Sequence, residues 1–142
     1  MEGIGDNNCL FCRIAKGEIP AYLLHQDEHA MAFLDINPLA PGHTVVIPRA
    51  HAATLIDLAE PEVGPLFIAL REVTRRVLLA VQAEGATIGI NQGEVAGQTI
   101  PHLHIHIFPR FSGDGGGSVH SVVNNPPREN LVQMVEKIKS IK

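Results

Sequence analysis

The chain has 142 residues, a length that suits one compact domain, residues 1–142, built on one core. Apolar content is 45% and charged content 18%, ordinary for a globular protein. The formal net charge of −4 argues against a non-specific nucleic-acid binder, which would show a basic face, and no stretch is long and apolar enough to span a bilayer, so neither nucleic acid nor membrane is expected as a partner.

Met1–Asn8 is polar and acidic and reads as a loose tail. It lacks the basic-then-apolar pattern of a signal peptide, which makes a cytoplasmic location the expectation. Cys9 and Cys12 are the only cysteines, too few for a disulfide scaffold, and their spacing suits a metal or redox site. Leu10–Lys16 predicts a short helix stopped by Gly17. Tyr22–Gln26 and Ala30–Asp35 predict strands joined at Asp27-Glu28. Two prolines and a glycine make 37–42 a loop, and His43–Pro48, rich in β-branched residues, follows as a strand.

The longest helix is predicted from about Pro61 to Glu84, with Gly85 as its stop. Val63, Leu66, Phe67, Leu70, Val73, Val77 and Val81 recur along it at three- and four-residue steps. Thr87–Asn91 reads as a strand, Gln92–Thr99 as a loop and His102–Phe108 as a strand. Ser112–Ser118 is a glycine-rich, mobile surface loop in this reading. A last helix is predicted from near Pro127, burying Leu131, Val135 and Ile138. Short turns between strands around one long helix predict an α+β fold. Its antiparallel sheet is covered on one face by the helix, leaving the other face to carry a site.

Period-two alternation puts His102, His104 and His106 on one face of their strand, with Leu103, Ile105 and Ile107 on the core side. Imidazole attacks phosphorus, donates to phosphate oxygen, or transfers protons near neutral pH. Backbone N–H groups of Gly93, Gly97, Gln98 and Thr99 are candidate phosphate donors just upstream. His-x-His on a strand is also a zinc-ligand pattern, and a plain polar face is the third reading. His25, His29 and His120 read as surface or turn positions.

Cys9-Leu10-Phe11-Cys12-Arg13-Ile14, Ala32-Phe33-Leu34-Asp35-Ile36, Pro41-Gly42-His43-Thr44-Val45-Val46-Ile47-Pro48, Asn91-Gln92-Gly93 and Gly97-Gln98-Thr99 before the histidines follow one another in a specific order. In these segments the chain resembles the histidine triad (HIT) family of nucleotide hydrolases and transferases, bacterial-type members included. The resemblance implies the HIT fold and a homodimer. It implies His104 as the nucleophile on the α-phosphorus of an adenine nucleotide substrate, giving an adenylylated histidine that water cleaves. His102, His106 and His43 would complete the catalytic group. Asp35 would hold the ribose, Asn91, Gln98 and Thr99 the phosphate region, and Leu10, Phe11, Ile14, Phe33 and Ile36 the base. Those five apolar residues are equally ordinary core candidates.

The resemblance also implies a structural zinc on Cys9, Cys12, His51 and His102, where a reduced dithiol is the alternative, and no catalytic cofactor. Nucleoside phosphoramidates and dinucleoside polyphosphates are the two substrate classes it leaves open. A nucleotide-binding regulator with slow hydrolysis is the alternative function.

Overall fold

The computed structural model describes residues 8–142, so all of the expected tail except Asn8 lies outside the described residues. Helix α1, Leu10–Ala15, opens on Cys9, whose sulfur accepts the Cys12 N–H, and ends before Gly17 at φ 80°. Strands β1 (Leu23–Gln26), β2 (Ala30–Leu34) and β3 (Thr44–Pro48) follow as an antiparallel meander. Asp27 closes the first turn by accepting the N–H groups of His29 and Ala30.

Helix α2 spans Glu60–Val81 with Pro61 in its first turn, where a missing N–H costs nothing. Its stop differs from the expectation. Gln82 takes the left-handed conformation at φ 57°, and Gly85 instead begins β4, Gly85–Gly89. The helix buries Leu66, Ala69, Leu70, Val73 and Val77, while Val63 and Phe67 stay exposed. The buried stripe is thus narrower than the apolar pattern. Strand β5 is Ile105–Arg110, and the sheet order is β1-β2-β3-β5-β4, with every neighbouring pair antiparallel.

Both sheet faces are covered over part of their area, against the expectation of one open face. Ala30, Ala32, Val46, Ile105 and Ile107 pack with the buried stripe of α2. Met31, Phe33, Val45 and Ile47 alternate to the other side and pack under Phe11, Ile14 and Ala15 of α1. A helix of six residues shields only one end of that face. The remainder, toward Asp35, His43 and His106, is where the site lies.

The C-terminal helix α3 runs Leu131–Lys139, later than the prolines suggested. Asn130 and Gln133 cap it reciprocally, each side chain bonding the other's backbone N–H, and this local signal sets the start. Leu131, Val135 and Ile138 are exposed, at 76%, 49% and 64%, so the expected burial of that stripe does not occur within one copy. The glycine-rich loop is at the surface as expected but tied down. Asp114 accepts from Arg110 and from the N–H groups of Phe111 and Gly116, and the guanidinium holds its carboxyl well below the usual carboxylate range. No helix among the described residues is long and apolar enough to cross a membrane.

Candidate active site

Three chain segments converge on the open part of the sheet. β5 carries His106 opposite Val45 of β3, and antiparallel partners share a face. His43 and Asp35 lie two residues beyond Val45 and Phe33 on that same face. Gly89 sits opposite His106 on the edge strand and adds no side chain there.

The expected strand over the histidines begins three residues late. His102, Leu103 and His104 precede β5, and the Leu103 N–H bonds to Ala52 O rather than to β3. His104 and His106 remain neighbours, with ring centres 5.2 Å apart. His102 turns instead toward Cys9, Cys12 and His51. The expected row of three histidines therefore becomes a neighbouring pair, His104 and His106, and a corner residue, His102.

Backbone groups assign each imidazole its tautomer, because a carbonyl only accepts and an N–H only donates. His102 Nε2 lies 2.9 Å from Pro48 O and must donate, leaving Nδ1 as a lone pair toward the cysteine sulfurs at 3.2 and 3.4 Å. His104 Nδ1 donates to His102 O at 2.7 Å, so its Nε2 carries a free lone pair. His43 Nδ1 accepts the Leu39 N–H at 3.2 Å, which puts the proton on Nε2. That proton faces His106 Nδ1 at 3.0 Å and Asp35 Oδ2 at 3.5 Å. Burial pushes His43 and His106 below the ordinary imidazole value; the Asp35 carboxylate opposes this at both.

The nucleotide-binding candidates divide. Phe11, Ile14 and Phe33 are core residues, and the Phe11 ring edges onto His104 with centres 5.0 Å apart. Leu10 and Ile36 are exposed, at 41% and 77%. Asp35 is part-exposed; its Oδ1 accepts the Asn37 N–H. Asn91 and Thr99 are exposed on the loop side.

Gln98 is braced within its own loop. Its oxygen accepts the Gly93 N–H, and its amide donates to Ala53 O and Ile100 O. The expected phosphate donors on the backbone of Gly93, Gly97 and Gln98 are likewise engaged within the loop. A 3₁₀ turn at Glu94–Ala96 closes that loop on itself, and these three amides bond within it rather than standing free. The loop lines a cavity of about 730 Å³ with Ala53 and Pro101.

Three contributors were not singled out in the sequence: Pro48 O, the Leu39 N–H, and Phe108, which packs on His43 and stacks on His106 at 4.2 and 5.4 Å. Phe108 was detectable, since it follows His106 by two residues on the same face. The backbone groups carry no residue-type signal at all. The other three histidines are peripheral: His25 bonds Asp27, His29 bonds Glu62, and His120 is exposed in a short turn.

Cys9, Cys12, His51 and His102 bring one ligand atom each to within 4.8 Å of the others. Cys12 Sγ is 3.2 Å from His51 Nδ1. Tetrahedral zinc with Zn–S of about 2.3 Å and Zn–N of about 2.0–2.1 Å separates such atoms by roughly 3.3–3.8 Å. The Cys–His separations of 3.2–3.4 Å lie close to that range, so the donor set fits zinc, and His102 already has the outer hydrogen bond that orients a ligating imidazole.

The HIT domain family matches residues 16–113. The chain is 40% identical to an uncharacterized HIT-like protein of Methanocaldococcus jannaschii, over 94% of this chain and 98% of the relative. It is 36% identical to an adenosine 5'-monophosphoramidase of Schizosaccharomyces pombe, over 77% of this chain and 79% of the relative. The crystal structure of a HIT-family member from Bacillus subtilis matches with a TM-score of 0.85 at 33% identity, covering 95% of this chain and 97% of that one. With the family match spanning most of the chain and the fold shared throughout, this protein belongs to the HIT family.

Proposed function

We propose that the protein hydrolyses an adenylyl bond, in a nucleoside phosphoramidate or a dinucleoside polyphosphate, through His104. The observation that carries this reading is the bond from His104 Nδ1 to His102 O, which leaves Nε2 as an oriented lone pair. Nε2 attacks the α-phosphorus, an N–P bond forms, and the bond to the leaving group breaks with its electrons. The neighbouring His106, accepting at Nδ1, holds its proton on Nε2 and offers it as a hydrogen bond to the departing amine or oxygen, which takes any proton it needs from solvent. Water then attacks the phosphorus, the N–P bond breaks with its electrons returning to His104 Nε2, and the nucleotide and a proton are released, so one hard displacement becomes two easier ones.

Asp35 receives the ribose and Leu10, Ile36 and the Phe11 edge flank the base. Asn91 and Thr99 face the phosphates, and Gln98 shapes their loop. The phosphoramidase activity of the Schizosaccharomyces pombe relative supports this chemistry. Cys9, Cys12, His51 and His102 would hold a zinc with all four positions filled, leaving none for an activated water, and such a zinc would tie the start of α1 to the sheet.

His104→Ala tests the reading. Turnover of adenosine 5'-phosphoramidate should fall by several orders of magnitude while adenosine monophosphate still binds. Unchanged kcat overturns it, and binding without multiple turnover in the unmutated protein replaces it by a regulatory role. A homodimer is part of the proposal, because β4 is an edge strand and α2 and α3 leave Phe67, Ile68, Leu131 and Ile138 exposed. Sedimentation at micromolar concentration should give twice the chain mass, and a monomer would refute that assembly.

A further inference from the structure

Helix α1 is six residues long, too short to hold its shape by its own hydrogen bonds, so whatever it carries is positioned by what the helix is tied to. Its C-terminal end is tied by Arg49, whose guanidinium donates to Ala15 O and Asp27 O, both at 3.1 Å. Ile14 and Ala15 also pack with Met31, Val45 and Ile47. The N-terminal end is tied by sulfur. Cys9 Sγ stands 3.2 Å from His102 Nδ1, and Cys12 Sγ stands 3.2 Å from His51 Nδ1 and 3.4 Å from His102 Nδ1. His51 follows β3 and His102 precedes β5, so the two cysteines pin the first turn of α1 to two segments distant in sequence.

Phe11 lies between those cysteines and is the residue of this turn that reaches the candidate active site. Its buried ring meets His104 edge-on with centres 5.0 Å apart, His102 at 5.8 Å and Phe33 at 5.6 Å. Phe33 is fixed by the β2–β3 ladder opposite Val45. Phe11 has no ladder, and the anchored residues around it set where its ring stands. A second link joins the cysteine–histidine set to the site, from His102 O to His104 Nδ1. That carbonyl is held independently of the sulfurs, because the His102 N–H bonds Ile100 O and its Nε2 donates to Pro48 O.

We infer that Cys9 and Cys12 are positioning residues for the nucleobase, acting through Phe11, so that zinc and nucleotide bind cooperatively. The inference rests on the nucleotide reading above, and it needs nucleotide binding but no turnover. With zinc on Cys9, Cys12, His51 and His102, the first turn of α1 is locked and Phe11 stands ready against the base. Without it, the turn is held by thiol–imidazole hydrogen bonds, in which sulfur is a weak partner, and the nucleotide must order the wall as it binds. Coupling between two ligands is reciprocal, so a bound nucleotide must tighten the hold on zinc by the same factor. The effect is specific to the base, because Asp35 and the 92–99 loop, which would take the sugar and phosphate, lie on other segments than α1.

The test is competition for zinc. Full-length zinc-loaded protein is titrated with a chromogenic chelator near neutral pH, alone, with saturating adenosine monophosphate, and with saturating ribose 5-phosphate. Adenosine monophosphate should lower the zinc dissociation constant by at least about 5-fold, the low end of ordinary coupling between sites. Ribose 5-phosphate, the same sugar and phosphate without a base, should leave it unchanged. By calorimetry, metal-free protein should bind adenosine monophosphate more weakly by the same factor. Cys9→Ser with Cys12→Ser should raise KM for adenosine 5'-phosphoramidate by at least that factor and change kcat less. Equal zinc affinity with and without adenosine monophosphate, or a protein that binds no zinc, overturns the coupling and leaves the hydrolase reading standing. If metal-free protein does not fold, any ligand retains zinc according to its occupancy alone. Ribose 5-phosphate retaining zinc as well as adenosine monophosphate therefore overturns the route through Phe11. Failure to bind adenosine monophosphate overturns the nucleotide reading, and the coupling with it.

Discussion

Gly42→Ala is a demanding test of how the site is held. Gly42 has φ +81°, a left-handed conformation that costs an L-residue about 1–2 kcal/mol. An added Cβ would stand 3.0 Å from Val81 Cγ1, 3.2 Å from Val77 Cγ1 and 3.4 Å from Pro109 Cγ. Overpacking of that kind costs about 1–3 kcal/mol. The two effects act on different coordinates, backbone and packing, and together predict a loss of about 2–5 kcal/mol. Function should suffer too, because Gly42 O accepts from Thr44 Oγ1 and His43 is the next residue. Guanidinium unfolding monitored by circular dichroism measures the first effect and kcat the second. Val81→Ala in the same chain removes the shortest contact but leaves the strain, so the double variant should recover roughly 1 kcal/mol relative to additivity. A loss below 1 kcal/mol, or strict additivity with Val81→Ala, would refute the packing argument.

Cys9→Ser with Cys12→Ser should lower zinc content from about one per chain and lower the melting temperature, yet leave a substantial kcat in the folded fraction, since His104 is outside the ligand set. Activity that falls in step with zinc and returns on its addition would contradict a closed structural site. Because burial depresses His43 and His106, the unfolded chain binds more protons than the folded one below about pH 6.5, so their contribution is complete above that pH and is lost as the pH falls through it. NMR titration midpoints for either ring above those of the denatured chain would reverse that sign. His29 behaves oppositely. Its bond to Glu62 raises it, with Glu28 and Asp27 adding to this, so its contribution is present at low pH and fades as pH rises through the folded value, and Glu62→Gln should weaken that trend in denaturation midpoints.

Periodicity carried most of the fold. The α2 pattern, the two-residue alternation of β5 and the punctuation at Gly17 and 37–42 are local properties of side chains, and they point to an α+β architecture before any contact is known. The set Cys9, Cys12, His51 and His102 was legible for the same reason, by residue type and resemblance, and the structure brings its ligand atoms together. Boundaries were less legible where two local signals compete: Gln82 ends α2 ahead of Gly85, and the Asn130–Gln133 cap starts α3 well after Pro127. The apolar stripe of α3 reads as a buried face, and only the tertiary structure decides that its own chain offers no partner surface for it.

The chemistry divides along the same line. Which residues are histidines is a matter of sequence, but which nitrogen of each holds the proton is not. That is decided by Pro48 O, His102 O and the Leu39 N–H, backbone groups identical in every residue type and brought into place only when β3, β5 and the 37–42 loop meet. A side-chain pattern has no means of reporting a hydrogen bond made by the main chain of a distant segment, and in this protein those bonds decide which imidazole nitrogen keeps a lone pair and which carries the N–H.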